Sequence, residues 1–533
     1  MERAWTCSPR LLLPAAILTT LLLMAGCGGG GGGQGSGGGG GGGGAEGKNL
    51  VVGYDQEPAI LNNYVVGGDL VATVDTTAGI LQAPVEPNPD LEFSPELAEE
   101  VPKVVSEDPL VIEYKLREGL KWSDGKPLTS ADAKFTYEQI MNPDNQIITR
   151  IGWEKVEKFE TPDERTVRIT FSRPYAPWRA LMSDEILPKH VYEGKDFNKD
   201  LNNEVVGSGP FQLKEWKKGE SLTWERNPNY WGKKPALDTV TFRFIPDTNS
   251  LTAALQSGEV GFITPPPDLG LIEKLEGIDG VKVDTKFGTE WEHIAFNTEK
   301  VDNLKLRQAI AYGIDRKQII DEILPGQARE LNSVVVPEQE EYYTPAWEGY
   351  QFDQDRARQL VEEAKAEGAQ TTIEFSTTSG NKLRETLQQI VQKQLGEIGM
   401  TVEINNSAPE VFFGERTPAG DFEMGDWAWS ASPDPELATL FSANSFPPDG
   451  QNYYRYKNDE VTRLLEQSEE TVDVTERAEL VKQASQIMAE DLPLIPLYQR
   501  PNIYAFSENL KGPQNNPTEA GPFWNVEEWS IGQ

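Results

Sequence analysis

A run of glycine divides this chain into two parts that differ in what they can fold into. Fifteen of the seventeen residues at positions 28–44 are glycine, and only Gln34 and Ser36 interrupt them. A stretch of this composition has no side chains to bury and is typical of a flexible coil. Any compact fold must therefore come from the residues that follow, from about Lys48 to Gln533.

The residues before the glycine run are typical of an export signal. Arg3 and Arg10 precede an uncharged apolar run of fourteen residues at positions 11–24. Such a run is too short to span a bilayer but suits the core of a signal peptide. We therefore expect residues 1–26 to be a signal peptide that is removed.

A cysteine that follows the apolar run is a candidate for lipidation. The sequence AGC at 25–27 resembles the lipobox of bacterial lipoproteins, although Met24 stands where leucine is usual. We expect Cys27 to become the acylated first residue and residues 27–47 to form a tether. The protein would then be extracytoplasmic and lipid-anchored to the bacterial cell membrane, periplasmic or on its outer face. The alternative is an ordinary cleavage site with an incidental cysteine.

The body after the tether lacks cysteine, because Cys7 and Cys27 are the two cysteines of the chain. The body therefore has neither a disulfide nor a thiolate metal site and must be stabilised by its hydrophobic core. The chain contains thirteen Trp, sixteen Tyr and twenty Phe, which disordered chains lack. A body of roughly 485 residues is long enough for more than one lobe.

The charge of the chain argues against nucleic acid as a partner. Asp and Glu number 85 against 49 Lys and Arg, which gives a formal net charge of −36. A surface this acidic repels polyphosphate.

The usual catalytic motifs are missing from the sequence. His190 and His293 are the two histidines, and neither belongs to an HExxH motif, so we expect no zinc or nickel site made by protein ligands alone. The GSGP sequence at 207–210 lacks the lysine of a P-loop, and no GxSxG elbow of a serine hydrolase is present. We expect no enzymatic activity, no cofactor and no metal. A glycosidase is the alternative, because counting residues does not exclude a pair of catalytic carboxylates.

Strand and helix periods both occur in the body, which predicts an α/β fold. Alternation of apolar and polar residues predicts half-buried strands at 112–116, 167–171 and 240–244. Apolar residues at helical spacing over 383–398, followed by Gly399, predict a helix with a left-handed glycine cap. Asp315 and Asp353 are predicted to start two further helices.

Four stretches of the body share one family resemblance. The first is YKLREGLKWSDGKPLTSADAKF at 114–135. The second comprises GSGPF at 207–211, RNPNYWG at 226–232 and ALQSGEV at 254–260. The third comprises AFNT at 295–298, LRQAI at 306–310 and GIDR at 313–316, and the fourth runs from Asp421 through Asp434 to AEDLPLIPLY at 489–498. In this order they resemble the extracellular solute-binding proteins of family 5, which serve peptide and nickel ABC transporters.

The resemblance implies an α/β protein with the two-lobed fold of periplasmic binding proteins. It implies class II of that fold, with an extra subdomain. Mixed sheets would be flanked by helices. Its expected parts are lobe I at residues 48–290 and 500–533, an inserted subdomain at 91–202, and lobe II at 291–499. The chain would cross between the lobes near Trp291 and Pro501. Closure of the lobes would enclose the ligand.

The resemblance also implies how a peptide would be held. Family members bind the peptide backbone between the lobes, and an aspartate just before an Asp-Pro or Glu-Pro pair meets the peptide ammonium. Aligning on Asp434 and Pro435 places Ala431 or Ser432 at that position, so the usual anchor is missing. Asp434 could substitute for it.

The implied ligand-binding candidates come from both lobes and the crossover: Tyr64, Asp69, Thr264, Trp291, Glu292, Trp427, Trp429, Ser430 and Asp434. Trp427 and Trp429 would share one side of an extended segment, as an aromatic wall or as part of the core. Glu292 could pair with a cation of the ligand or form a salt bridge at the hinge.

We therefore expect a monomeric, membrane-tethered binding protein that captures a peptide or peptide-sized solute and delivers it to the permease and ATPase of an ABC importer. Because the aspartate that meets a peptide ammonium is missing, a metal chelate or another non-peptide solute is an alternative ligand. An exported hydrolase on the same fold and a lipoprotein that passes its ligand to a sensor are further alternatives.

Overall fold

The structure is a computed structural model that describes residues 48–65, 68, 71–201, 203–430, 432–447 and 450–532. The predicted signal peptide, Cys27 and the glycine tether lie outside these residues, as do Asp69 and Ala431.

Strands occur along the whole of the described chain. They are β1 (Asn49–Tyr54), β2 (Val85–Pro87), β3 (Phe93–Pro95), β4 (Lys103–Glu107), β5 (Leu110–Lys115), β6 (Val156–Glu160), β7 (Thr166–Phe171), β8 (Phe211–Lys217), β9 (Ser221–Arg226), β10 (Thr239–Phe244), β11 (Phe262–Ile263), β12 (Val281–Phe296), β13 (Arg329–Glu330), β14 (Thr372–Ser376), β15 (Thr401–Ile404), β16 (Met424–Ser430), β17 (Leu494–Ser507), β18 (Leu510–Lys511) and β19 (Ser530–Ile531).

Helices lie between these strands. They are α1 (Val71–Thr77), α2 (Ser130–Met141), α3 (Trp178–Leu181), α4 (Lys189–Tyr192), α5 (Thr248–Gln256), α6 (Leu271–Glu276), α7 (Leu304–Gly313), α8 (Arg316–Ile323), α9 (Gln354–Ala366), α10 (Lys382–Glu397), α11 (Pro409–Val411), α12 (Thr417–Ala419), α13 (Leu437–Phe441), α14 (Asp459–Glu470) and α15 (Val474–Asp491). Short 3-10 turns occupy Trp153–Lys155 and Val526–Glu528, and one π-helical turn occupies Phe412–Arg416.

The local patterns in the sequence account for these elements. The three predicted alternating segments are confirmed as β5, β7 and β10, and the apolar side chains of Leu110 and Tyr114 in β5 are buried. α10 begins after Asn381, whose side chain accepts a hydrogen bond from the backbone amide of Arg384, and the chain turns at Gly399 with a φ of +89°. α8 and α9 follow the predicted aspartate caps in the same way. The amphipathic periodicity and the end caps thus determine where these elements form and where they end.

One mixed sheet carries most of the strands, in the order β15-β14-β16-β12-β17-β11-β1-β10-β9-β8, with β13 also paired to β17. β1 runs parallel to β10 and β11, and β14 runs parallel to β15 and β16, whereas β12 and β17 are antiparallel to their neighbours. A separate four-stranded antiparallel sheet has the order β4-β5-β7-β6. The predicted mixed sheets with flanking helices are confirmed.

Two long strands, β12 and β17, lie side by side in the middle of the large sheet and join its two halves. Their pairing has two segments, 281–287 with 501–507 and 291–295 with 494–499, and the register is interrupted between Phe287 and Trp291. The predicted crossovers at Trp291 and Pro501 lie beside this interruption. The exact lobe boundaries stay a prediction.

The buried apolar residues form separate clusters on either side of this interruption. The C-terminal core contains the buried apolar side chains from Trp291 to Tyr498. The insert core is built on the four-stranded sheet and includes residues from Tyr64 to Leu201. Two smaller clusters, one around Trp224 and one around Leu251, cover the sheet near β1. Each part therefore has its own apolar core.

Candidate ligand-binding site

A cavity of about 440 Å³ lies where the two long strands change register. This volume is within the range of about 300–1,000 Å³ that is typical of small-molecule sites. Its walls include Tyr54, Asp55, Asp75, Thr264, Gly288, Glu290, Ser430, Arg500, Tyr504, Thr518, Glu519 and Gly521. They include Thr264, which follows β11 in one half of the large sheet, and Ser430, which ends β16 in the other half, so the cavity lies between these halves.

The direction of the strands explains why polar residues gather at the cavity. β1 and β11 are parallel, and Asp55 and Thr264 come directly after their carboxyl ends. Ligands of open α/β sheets commonly bind at this edge. From the other side, β16 ends at Ser430, next to the interruption in β12.

Two predicted ligand-binding residues line the cavity from opposite sides. Thr264 is half-buried, and Ser430 is exposed with its hydroxyl oxygen 3.2 Å from that of Thr289. The structure thus brings Thr264 and Ser430 to one cavity, although their contact with a ligand stays a prediction.

Sequence reasoning missed several carboxyl groups of this cavity. The side chain of Asp75 on α1 is 4% exposed, and its Oδ2 accepts a hydrogen bond of 2.6 Å from the Tyr54 hydroxyl. Burial raises the pKa of Asp75 to about 7, although this hydrogen bond opposes the shift. Burial also raises the pKa of Asp55.

Glu519 adds another carboxyl group with a shifted pKa. Its side chain is exposed, yet burial of its carboxyl group by surrounding protein raises its pKa to about 7. Glu519 thus places a carboxyl group of raised pKa at the cavity wall.

No group of three or more His, Cys, Asp or Glu side chains within the described ranges has a geometry suited to a metal ion. No helix among the described residues combines the length and apolarity required to cross a membrane.

Comparison with known proteins identifies the family of this chain. Residues 92–450 match the model of the bacterial extracellular solute-binding proteins, family 5 Middle. The chain belongs to this family.

Relatives of this family 5 protein match three quarters or more of its length. The oligopeptide-binding protein AppA of Bacillus subtilis (strain 168) is 28% identical over 518 residues, which are 91% of this chain and 92% of AppA. The glutathione-binding protein GsiB of Salmonella typhi is 30% identical over 429 residues, which are 76% of this chain and 81% of GsiB. The solved structure of B. subtilis AppA in complex with a nonapeptide matches with a TM-score of 0.79 at 27% identity, covering 91% of this chain and 99% of AppA. The predicted two-lobed α/β fold is confirmed by this match.

Glu292, a predicted ligand-binding residue of this family 5 protein, lies behind the cavity in an ion pair. Its side chain is 3% exposed, and its two carboxylate oxygens accept hydrogen bonds of 3.0 and 3.3 Å from the Arg384 guanidinium. Arg500 Nη1 lies 3.8 Å from Glu292 Oε1. Arg384 thus balances its charge before any ligand binds, and Arg500, which is closer to Glu290, adds a second positive charge nearby.

Asp426 extends this buried network. Its side chain is fully buried, and no hydrogen-bond donor of the described residues reaches its carboxyl oxygens. Burial, followed by the charge of Glu292, raises the pKa of Asp426 well above its usual value. A neutral Asp426 can donate its proton to Glu292, which removes the need for another cation.

The predicted aromatic residues pack beside the cavity and are not among its wall residues. Trp291 and Trp427 are each 1% exposed and belong to the C-terminal core. Trp429 is half-buried and donates from Nε1 to the Tyr454 hydroxyl at 2.7 Å, while its ring stacks on Tyr453. The Trp427 and Trp429 rings lie 6.4 Å apart, which confirms that they share one side of β16. A wall role for these rings stays a prediction.

The remaining candidates lie away from the described cavity. Tyr64 is in the insert core, where its hydroxyl donates to the carbonyl of Glu185. Asp434 is 9% exposed and accepts a hydrogen bond of 3.1 Å from Arg477 Nη1. Arg477 therefore already pairs the carboxylate that was considered as a substitute anchor.

Proposed function

We propose that this protein is the extracytoplasmic substrate-binding protein of an ABC importer and that it captures a peptide or peptide-sized solute in the cavity beside Arg500. The lobes would close on the ligand, and the closed form would deliver it to the permease. The protein would perform no chemistry on the ligand.

The observation that carries this proposal is the position of the cavity. Thr264 follows β11 in one half of the large sheet, Ser430 ends β16 in the other half, and Gly288 lies at the interruption in β12 between them. A ligand placed there would contact both proposed lobes, and its binding would favour the arrangement in which they are close. Family membership and the similarity to the oligopeptide-binding protein AppA and the glutathione-binding protein GsiB support a peptide as the ligand.

The proposal includes the predicted domain bounds and anchor. Lobe I would comprise 48–290 and 500–533, and lobe II would comprise 291–499, with the hinge at the interrupted pairing of β12 and β17. Lipidated Cys27 would hold a monomeric body at the membrane through its glycine tether.

Calorimetry with peptide pools of defined length, combined with small-angle scattering, tests this function. We expect one-to-one binding of a peptide and a smaller radius of gyration at saturation. Ser430→Trp should fill the cavity and abolish binding, whereas Ser379→Trp, at another exposed serine, should not. Saturation without a change in the scattering profile would contradict closure.

A non-peptide solute is the second candidate, because Ala431 and Ser432 replace the aspartate that meets a peptide ammonium in the family. Mass spectrometry of material released from the purified protein by denaturation separates the two. A released metal chelate or other non-peptide compound would favour this second candidate.

A further inference from the structure

The charged groups around the cavity are unequal in number. Its wall contains the carboxyl groups of Asp55, Asp75, Glu290 and Glu519, and Arg500 supplies a guanidinium group. Arg500 Nη1 is 2.9 Å from Glu290 Oε2, so this cation is already paired. Within the described residues, the other three carboxyl groups have no Lys, Arg or His partner within salt-bridge distance.

Asp75 is the best placed of these groups to meet a ligand. Its Oδ2 accepts from Tyr54, whereas its Oδ1 has no protein donor in the described part of the chain. A Cβ atom built on Gly521 would lie 2.7 Å from Asp75 Oδ1, and both residues line the cavity. The free oxygen of a side chain that is 96% buried therefore lies at the cavity wall beside a residue without a side chain.

Apart from the Tyr54 hydroxyl, Asp75 has neither a hydrogen-bond donor nor a cation for its charged form within the described residues. A buried carboxylate is costly unless a cation or additional donors meet it. Burial raises the pKa values of Asp75 and Glu519, as expected for carboxyl groups that no cation meets. A positively charged ligand group would supply charge-assisted hydrogen bonds and would shift the protonation equilibrium of Asp75 toward the carboxylate.

We propose that the cavity recognises a cationic group of the ligand, an ammonium or a guanidinium, through Asp75, with Glu519 and Asp55 adding negative charge to the same wall. This inference rests on the proposed function and narrows the substrate to positively charged solutes. An anchor in this position would lie in proposed lobe I, whereas Ser432 belongs to proposed lobe II.

Three ligand pairs, in each of which a positively charged group is replaced by a neutral amide or urea, test the proposal by calorimetry. They are tetraalanine with N-acetyl-tetraalanine, N-acetyl-Ala-Arg-Ala-Ala with its citrulline analogue, and butylguanidinium with butylurea. The first pair probes an amino-terminal ammonium, the second a basic side chain, and the third a cation without a peptide. In at least one pair, we expect the charged member to bind at least about tenfold more tightly, as charge-assisted hydrogen bonds allow.

The variant Asp75→Asn should bring that preference to within about threefold, because its amide can still accept from Tyr54 but carries no charge. Asp184→Asn is the matched control. Asp184 also has a pKa raised by burial to about 7 and accepts one hydrogen bond, of 2.7 Å from Trp153 Nε1, but it lies outside the cavity wall. Its substitution should leave the preference unchanged. Glu519→Gln, at an exposed side chain, should lower the preference without disturbing a buried site.

Equal binding within every pair, no binding by any charged member, or a preference that survives Asp75→Asn would each overturn the proposal. If charged and neutral peptides bind equally well, the cation site is contradicted, but the proposed peptide-binding function is not. A preference seen only with butylguanidinium would support the cation site and contradict peptide as the ligand.

Discussion

Lys155 Nζ lies 3.1 Å from Glu469 Oε2, and this ion pair joins the insert core to the C-terminal core. The two side chains are only 10% and 16% exposed. Beside them, the backbone amide of Ala176 donates to the Glu469 carbonyl at 2.6 Å. If the lobes part as proposed, these contacts exist only in the closed form and return to water when it opens.

Lys155→Met should therefore weaken ligand binding by about tenfold or more while leaving the melting temperature of the ligand-free protein within about 2 °C. Removing one partner of a nearly buried pair leaves the other uncompensated, but an open form would place Glu469 in water. Calorimetry and thermal unfolding measure the two effects.

The pair Lys103 and Glu100 provides the control, since both side chains are 63% exposed. Lys103→Met should change neither quantity, because exposed pairs contribute about 0–1 kcal/mol. A lower melting temperature of ligand-free Lys155→Met with unchanged affinity would show that the contact persists in the open form.

Asp75→Asn should stabilise the ligand-free protein at pH 8 more than at pH 5. The pKa of Asp75 is raised from 3.8 to about 7 in the folded state, so this group favours folding below about pH 4 and loses that contribution as the pH rises through 7. The amide of the variant does not titrate. At pH 8 the free energy of unfolding of Asp75→Asn should therefore exceed that of the unsubstituted protein by about 1–4 kcal/mol. Urea denaturation at both pH values measures it, with Asp355→Asn at an exposed position as the control. An equal difference at both pH values would contradict the assigned pKa.

The sequence was sufficient to predict elements whose cause is local. Asn381 and Gly399 mark the ends of α10 because a side-chain cap and a left-handed glycine act within a few residues. The family resemblance placed Thr264 and Ser430 at one cavity, since motif order preserves topology.

The charged groups of the cavity could not be predicted from the sequence, because they come from residues that are far apart in the chain. Asp75 and Glu519 meet the same cavity only after the end of the chain returns to α1. Glu292 and Arg384 are separated by 92 residues, and no pattern in either segment indicates the pair. Among 85 acidic residues, what distinguishes these few is their surroundings in the packed chain, which no local pattern indicates.

Cys27→Ser should release the protein from membranes into the soluble or secreted fraction. The apolar run, the AGC sequence and the glycine tether motivate this expectation. Fractionation together with incorporation of a labelled fatty acid measures it, and Cys7→Ser, within the predicted signal peptide, is the matched control. A Cys27→Ser protein that still incorporates lipid would contradict the predicted anchor.

Arg384→Met should destabilise the protein strongly, because it removes both hydrogen bonds to the buried Glu292 carboxylate. Arg500, at 3.8 Å, would be the remaining cation near Glu292 among the described residues. We expect the free energy of unfolding to fall by about 3–5 kcal/mol, as is typical when one partner of a buried pair is removed. Urea denaturation measures this loss.

A second substitution tests whether the uncompensated charge is the cause. Arg384→Met combined with Glu292→Gln should recover part of the loss, because the neutral amide no longer needs a cation. Arg463→Met is the control, since Arg463 and its partner Glu460 are 56% and 54% exposed, and it should change stability by less than about 1 kcal/mol. A loss below about 1 kcal/mol in Arg384→Met would mean that Glu292 can reach water in the cavity, and Glu292 would then return as the residue that meets a ligand cation.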